Sequence, residues 1–349
     1  MKKPPDIPAD RGRPEEQHAG TKPKIVLGTS GWSFKDWVGR FYPQGIERAQ
    51  MLDYYVHEFP AVEVNSTYYR IPHWRTFEAI EKKTPAGFEF VVKTHHDMTH
   101  LCSRDPQLYR DFERSIRPLF EAGKLDGILA QFPYGFRRTP ANEEFLRALP
   151  DLLGFEAPLF VEFRHRSWVD EEVFQELRDS GLGYVSVDEP DLPGLMPPIA
   201  RRTGPIGYVR FHGRNKEKWW GKDARTRGAP DPGVVPGGHE APGSARRAGK
   251  KGAAKSAEPG ARAGADLGPL FSGIPEHPDE KPRAGEPRSS STRYDWSYTE
   301  DELKEWVEKI REMTQQAKKT FVFFNNCHVG QAATSAKLMR KLLEGEGML

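Results

Sequence analysis

Eight short apolar, β-branched or aromatic runs recur along the chain: Ile25–Gly28, Ala61–Asn65, Phe88–Lys93, Gly127–Phe132, Leu159–Phe163, Gly183–Asp188, Ile206–His212 and Thr320–Asn325. Most are followed by apolar positions at helical spacing. Leu52, Tyr55, Val56 and Phe59 share one helical face, as do Leu108, Phe112, Ile116 and Leu119. Asn142 reads as the cap of a helix carrying Phe145, Leu146 and Leu149. Asp170 reads as the cap of one carrying Val173, Phe174 and Leu177, stopped by Gly181. Thr299 with Glu302 forms a capping-box pattern ahead of Leu303, Trp306, Val307, Ile310 and Met313. A last helical stretch, Ala332–Leu343, closes the chain. After the sixth run, Glu189–Pro198 is proline-rich without a helical period, so a loop is expected there.

Repeated strand–helix alternation implies parallel pairing through right-handed crossovers. A doubly wound open sheet gives the same alternation, but eight strands of this length favour closure into a TIM-like (β/α)8 barrel, an α/β fold. Two segments stand outside the pattern. Residues 1–22 are polar and proline-rich, and residues 222–291 hold 12 Gly and 10 Pro among 70 positions. Such compositions bury too little apolar surface to offset chain ordering, so both segments are expected to be disordered. What remains is 257 residues, close to the ~250 of one barrel. The expected organisation is a tail at 1–22 and a single barrel domain at 23–349, interrupted after the seventh strand by the insert at 222–291.

The chain carries 52 Lys+Arg against 50 Asp+Glu, and the part outside the two polar segments carries 35 against 37. Net charge on the folded part therefore gives no basic nucleic-acid footprint. No run of ~18 apolar residues is present to span a membrane, and no apolar stretch follows the N-terminal lysines as in a secretory signal. Two cysteines, Cys102 and Cys327, make no disulfide framework, so a cytoplasmic location is expected. The patterns GxGxxG, GxxxxGKS/T, HExxH and GxSxG are absent, which weakens Rossmann, kinase and α/β-hydrolase readings.

In a barrel of this kind the C-terminal strand ends build the active site. In chain order they give Gly28-Thr29-Ser30-Gly31-Trp32, then Glu63 and Asn65, Lys93, Gln131, Glu162 and Arg164, Asp188-Glu189, Arg210 and His212, and Asn325-Asn326. Residues two apart share a strand face. Buried charge persists only when paired or hydrogen-bonded. Glu63, Glu162 and Asp188 can neutralise Lys93, Arg164 and Arg210, leaving His212 to titrate near neutrality. The ring is either a functional pocket or a self-satisfied plug. So many ion types favour the pocket, because apolar side chains often replace buried ion pairs without loss.

The runs Gly28-Thr29-Ser30-Gly31-Trp32, Phe41-Tyr42-Pro43, Val62-Glu63-Val64-Asn65-Ser66-Thr67-Tyr68-Tyr69-Arg70 and Thr99-His100 resemble the YecE-like family, also called domain of unknown function 72. So do Gln131-Phe132-Pro133, Val161-Glu162-Phe163-Arg164-His165 with Ser167-Trp168, Val209-Arg210-Phe211-His212-Gly213, and Phe324-Asn325-Asn326. The resemblance covers residues 24–343 apart from the insert. It implies a TIM-like barrel and supplies no reaction.

Three chemistries fit the ring. Arg164 and Arg210 offer planar forks for an anionic group and Lys93 a point charge, with Glu162 or Asp188 as general base and His212 as general acid. Asn65, Gln131, Asn325 and Asn326 would orient the substrate, Glu63 belongs to the same ring, and Trp32 can stack a base or sugar. Alternatively, Glu162, Asp188 and His212 end three consecutive strands and suit Mg, Mn or Zn, with Arg164 and Arg210 competing for the carboxylates. Lys93 can form an imine if desolvated, although the nearby carboxylates are expected to raise its pKa. Cys327 reads as a buried, inert thiol.

The segment Arg214-Asn215-Lys216-Glu217-Lys218-Trp219-Trp220 interleaves cations with aromatic rings and, with the basic insert, suits a single nucleic-acid strand. The competing reading makes these tryptophans a lid. The sequence thus points to an enzyme using acid–base chemistry on a small or nucleotide-like substrate bearing phosphate or carboxylate. No organic cofactor is expected, and a divalent metal stays open. The alternative is a nucleic-acid-binding, nuclease-like barrel.

Overall fold

A computed structural model describes residues 24–220 and 292–349; the 1–22 tail and the 222–291 insert lie outside the described residues. The strands are β1 (Lys24–Ser30), β2 (Ala61–Val64), β3 (Glu89–Lys93), β4 (Leu125–Gln131), β5 (Leu159–Glu162), β6 (Leu182–Tyr184), β7 (Ser186–Asp188), β8 (Ile206–Phe211) and β9 (Lys319–Phe324). All pair in parallel, in the order β6-β5-β4-β3-β2-β1-β9-β8-β7. Only Val185 separates β6 from β7. β6 pairs with β5, β7 pairs with β8, and the Val185 N–H donates to the Val161 carbonyl at 3.0 Å. The two pieces thus act as one interrupted stave, and eight staves close the TIM-like barrel. These staves are the eight runs expected from the sequence.

Among the described residues, the barrel is wrapped by α1 (Met51–Glu58), α2 (Trp74–Lys83), α4 (Pro106–Glu121), α5 (Pro140–Leu152), α6 (Glu171–Asp179), α7 (Glu300–Gln315) and α8 (Gln331–Gly345), with the one-turn α3 (His96–Thr99) after β3. Asp170 caps α6 by accepting from the Glu172 N–H, Gly181 follows it at positive φ, and Thr299 and Glu302 form the expected capping box of α7. The helix expected to start at Asn142 starts earlier. Pro140 takes the first helical position, Thr139 caps, and Asn142 lies inside the first turn with its N–H on the Thr139 hydroxyl. No helix follows β7, as the proline-rich stretch implied.

Inside the barrel, residues two apart on a strand point the same way and lie about 6.6 Å apart in depth. The lower interior is aromatic. Tyr208 meets Phe160 at 5.0 Å, Phe323 at 5.6 Å and Phe321 at 5.8 Å between ring centroids. Gly127 and Gly183 make room for this packing, since a Cβ on either would sit 2.4 and 2.5 Å from the Phe160 ring. One step up these three strands the aromatic fill gives way to polar and charged side chains: Glu162 follows Phe160, Arg210 follows Tyr208, and Asn325 follows Phe323.

Candidate functional site

The deepest polar layer is sealed. Glu63 and Glu162 are fully buried on either side of Arg210, which is 1% exposed. Arg210 donates through Nη2 to Glu63 Oε1 at 2.5 Å and through Nη1 to Glu162 Oε2, and the Tyr208 hydroxyl donates to Glu63 Oε2. Burial alone would push the Glu162 carboxyl up, but Arg210, Arg164 and His212 hold it well below the ordinary carboxylate range. Arg164 Nε lies 2.8 Å and His212 Nε2 3.2 Å from Glu162 Oε1, close in distance though not aligned as hydrogen bonds. His212 Nδ1 faces Asn325 Nδ2 at 3.1 Å and Arg164 Nη2 at 3.5 Å. Burial, reinforced by the Arg164 charge, lowers the His212 pKa to about 3. The imidazole is neutral, so the expected titration of His212 near pH 7 does not occur.

One step higher lies a cavity of about 390 Å³. Strand ends supply Asn65, Lys93, Gln131, Arg164 and Asn325; the loops after β2 and β3 supply Tyr68, His96 and His100; Trp219, Arg293 and Tyr294 wall the opposite side. Among the described residues no Asp or Glu lines it. Lys93 Nζ donates to Gln131 Oε1 at 2.7 Å, lies 4.3 Å from the centre of the Tyr68 ring, and makes no ion pair among the described residues. Burial and then the Arg210 charge bring its pKa down to about 7, outweighing Glu162 and Glu63. The expected rise is thereby reversed: burial outweighs the two carboxylates, which still favour the ammonium. His100 Nε2 lies 3.0 Å from the Tyr68 hydroxyl, its ring stacks on His96 at 4.7 Å, and burial lowers its pKa to about 3.

Three of the residues singled out from the sequence go elsewhere. Asp188 accepts from the Tyr298 hydroxyl at 2.6 Å, Trp306 Nε1 at 2.7 Å and Arg214 Nη2 at 2.7 Å. It faces the outer helix layer, so it neither moves protons in the cavity nor joins Glu162 and His212 around a metal. No cluster of three His, Cys, Asp or Glu suited to a metal occurs among the described residues. Asn326 also turns away from the cavity, donating to the Trp296 carbonyl at 2.8 Å and Ser335 Oγ at 3.1 Å. Trp32 packs in the apolar core, and its carbonyl accepts from the Tyr42 hydroxyl. Glu63 and Arg210 lie beneath the cavity without lining it.

Glu189, next to Asp188, takes the inward place. It accepts from Arg164 Nη1 and the Met196 N–H, both at 2.9 Å, and burial lifts its pKa to about 7. The 214–220 segment forms a wall. Arg214 is held by Asp188 and Glu305, Lys218 by Asp295, and Trp219 is buried against Leu195 and Tyr294, while Trp220 is 39% exposed. Cys327 is buried, its Sγ donating to the Ser30 carbonyl at 3.2 Å.

Fold and site together define a TIM-like barrel protein with a cationic, aromatic-walled cavity at the C-terminal mouth of its strands. The sequence model described as "Protein of unknown function DUF72" matches residues 26–230 and 277–348, and the chain belongs to this family. It is 28% identical over 334 residues to the UPF0759 protein YunF of Bacillus subtilis (strain 168), covering 92% of this chain and 95% of that one. The crystal structure of a DUF72 family protein from Thermotoga maritima is similar at a TM-score of 0.67 and 35% identity, covering 92% of this chain and 99% of its own. A DUF72 family protein from Enterococcus faecalis V583 shares the fold at a TM-score of 0.65 and 24% identity, covering 92% and 95%. Among the described residues no helix is long and apolar enough to cross a membrane.

Proposed function

We propose that the chain is an enzyme that holds a small substrate bearing phosphate or carboxylate in the mouth cavity and moves protons there through the Lys93 amine. The carrying observation is the lining: Lys93, Arg164 and Arg293 with two histidines, and no carboxylate among the described residues. Beneath it, Glu63 and Glu162 face Arg210, and Arg164 pairs with Glu162 and Glu189, so Lys93 meets a bound anion with no carboxylate partner of its own among the described residues. An anion beside Lys93 favours its charged form. Binding therefore loads a proton onto an amine poised near neutrality, which suits general acid–base work. Asn65 Oδ1 has no hydrogen-bond partner among the described residues, and with Gln131 and Asn325 it offers polar groups to orient the ligand. Tyr68, Trp219 and Tyr294 give aromatic faces that fit a sugar or base. The nucleic-acid reading draws, within the described part of that segment, on Trp220 and the exposed Lys216 and Lys218, the last paired with Asp295.

Sulfate, whose charge stays constant across this range, tests the reading by titration calorimetry on the full chain. Binding should be tighter at about pH 6 than at about pH 8, in line with an amine near pH 7. It should weaken in Lys93→Met and in Arg164→Met. Sulfate binding unchanged by both substitutions would reject the proposal, and salt-steep strand binding that survives them would put the nucleic-acid barrel in its place.

A further inference from the structure

We infer that Lys93 forms an imine with its substrate, which is therefore an aldehyde or ketone that also carries a phosphate or carboxylate. This rests on the reading that the mouth cavity takes a small anion, and it names the substrate class. Lysines enclosed by protein ordinarily find a carboxylate. Lys93 instead sits between an amide oxygen, Gln131 Oε1 at 2.7 Å, and the face of Tyr68 at 4.3 Å, with no ion pair among the described residues. Its nearest charged company is mixed: Arg210 and Arg164 disfavour its ammonium, while Glu162 and Glu63, both already facing guanidinium groups, favour it. His96 and His100 complete its surroundings. A large share of the amine is thus neutral at pH 7 and opens onto a cavity wide enough for a small molecule. A base needs only to reach a proton, but a desolvated lysine amine is also a nucleophile toward carbonyl carbon.

The step balances without any redox partner. The nitrogen lone pair adds to the carbonyl carbon, and the C=O π pair passes to oxygen. That oxygen takes one of the two protons on nitrogen, giving a carbinolamine. A second proton then converts the hydroxyl to water, which leaves as the nitrogen lone pair closes the C=N bond. The product iminium keeps one N–H and the positive charge. The Tyr68 hydroxyl, hydrogen-bonded to His100 at 3.0 Å on the same wall, can deliver the second proton. Arg164 and Arg293 hold the anionic end of the substrate.

The full chain is incubated with pyruvate or with dihydroxyacetone phosphate, reduced with borohydride, and mapped by peptide mass. The expected result is a stable adduct at Lys93 with at least one probe, reduced by about tenfold when saturating sulfate competes. Mapping the wild-type chain needs no variant to fold, and Lys93→Met serves as the blank. Trapping at Lys93 that sulfate suppresses supports both readings, and trapping that sulfate leaves untouched supports the imine while removing the anion pocket. Sulfate binding with no Lys93 adduct from either probe overturns the imine and leaves the anion pocket standing. Absence of both overturns both.

Discussion

Two layers at the same end of the barrel, one strand step apart, behave in opposite ways. In the lower layer Glu63, Arg210 and Glu162 are sealed from solvent and bonded to one another. In the upper layer Lys93 and Arg164 face a cavity whose described lining has no acid. The ring read from the sequence as either plug or pocket divides by depth into a self-paired floor and side chains that line a cavity. The lower layer shapes the upper. Burial and then the Arg210 charge outweigh the pull of the lower layer's carboxylates on the Lys93 ammonium, and the pKa falls to about 7.

The comparison can be broken by disturbing one layer at a time. The largest effect is expected from Arg210→Met, which leaves buried Glu63 with no guanidinium and Glu162 with Arg164 alone, and should cost about 3–5 kcal/mol in denaturant unfolding. Wild-type stability in that variant would mean the lower layer is not held by charge. Asp188→Ala strips partners from the buried Tyr298 hydroxyl and Trp306 indole and should cost about 3 kcal/mol. Sulfate affinity should be unchanged in it, and a change would place Asp188 in the upper layer after all. Lys93→Met should raise stability at neutral pH, because it removes an amine that the unfolded chain protonates more readily than the folded one, while weakening sulfate by about tenfold, or about 1.4 kcal/mol.

Two titrations set the layers apart through the pH dependence of stability. Lys93 falls from 10.5 to about 7, so between those values the unfolded chain holds the extra proton and stability rises with pH. Glu189 rises from 4.5 to about 7, so in that lower window the folded chain holds the proton and stability drops as pH increases. Each limb should contribute about 1 kcal/mol per pH unit. Lys93→Met should remove the alkaline limb and Glu189→Gln the acid limb in unfolding measured across pH; slopes that stay unchanged would refute the pairing. The smallest effect belongs to Trp220→Ala, under about 0.5 kcal/mol in stability. Single-strand binding lost in that variant would move function from the cavity to its rim.

Every stave of the barrel was legible, because short apolar runs ending in polar residues are what strands with a polar mouth produce. The side chains were less so. Val185, Val187 and Glu189 share one parity and Ser186 and Asp188 the other, so counting in twos from the valines would have chosen Glu189. The sequence reading took the last residue of the run instead. Asn326 failed by the same one-residue step, while Lys93, Gln131, Arg164 and Asn325 carry the parity that reaches the cavity. Tyr68 and His100 lie in loops beyond the strands, and Arg293 and Tyr294 follow the long insert. No periodicity marks such positions; only the closed fold brings them to one place. The state of Lys93 was hidden for a further reason: burial, which outweighs the carboxylates near it, is set by the closed fold.

The stave split at Val185 is a seam in the cylinder wall. With three residues on either side of the break, it holds the two shortest strands among the described residues, and it carries Glu189, the partner of Arg164, directly beyond its end. Breathing of the barrel should begin along this seam, with the amides of 182–188 exchanging deuterium ahead of those of β9. A molecule entering the mouth would then meet a wall that already loosens on the side where its charged end must settle.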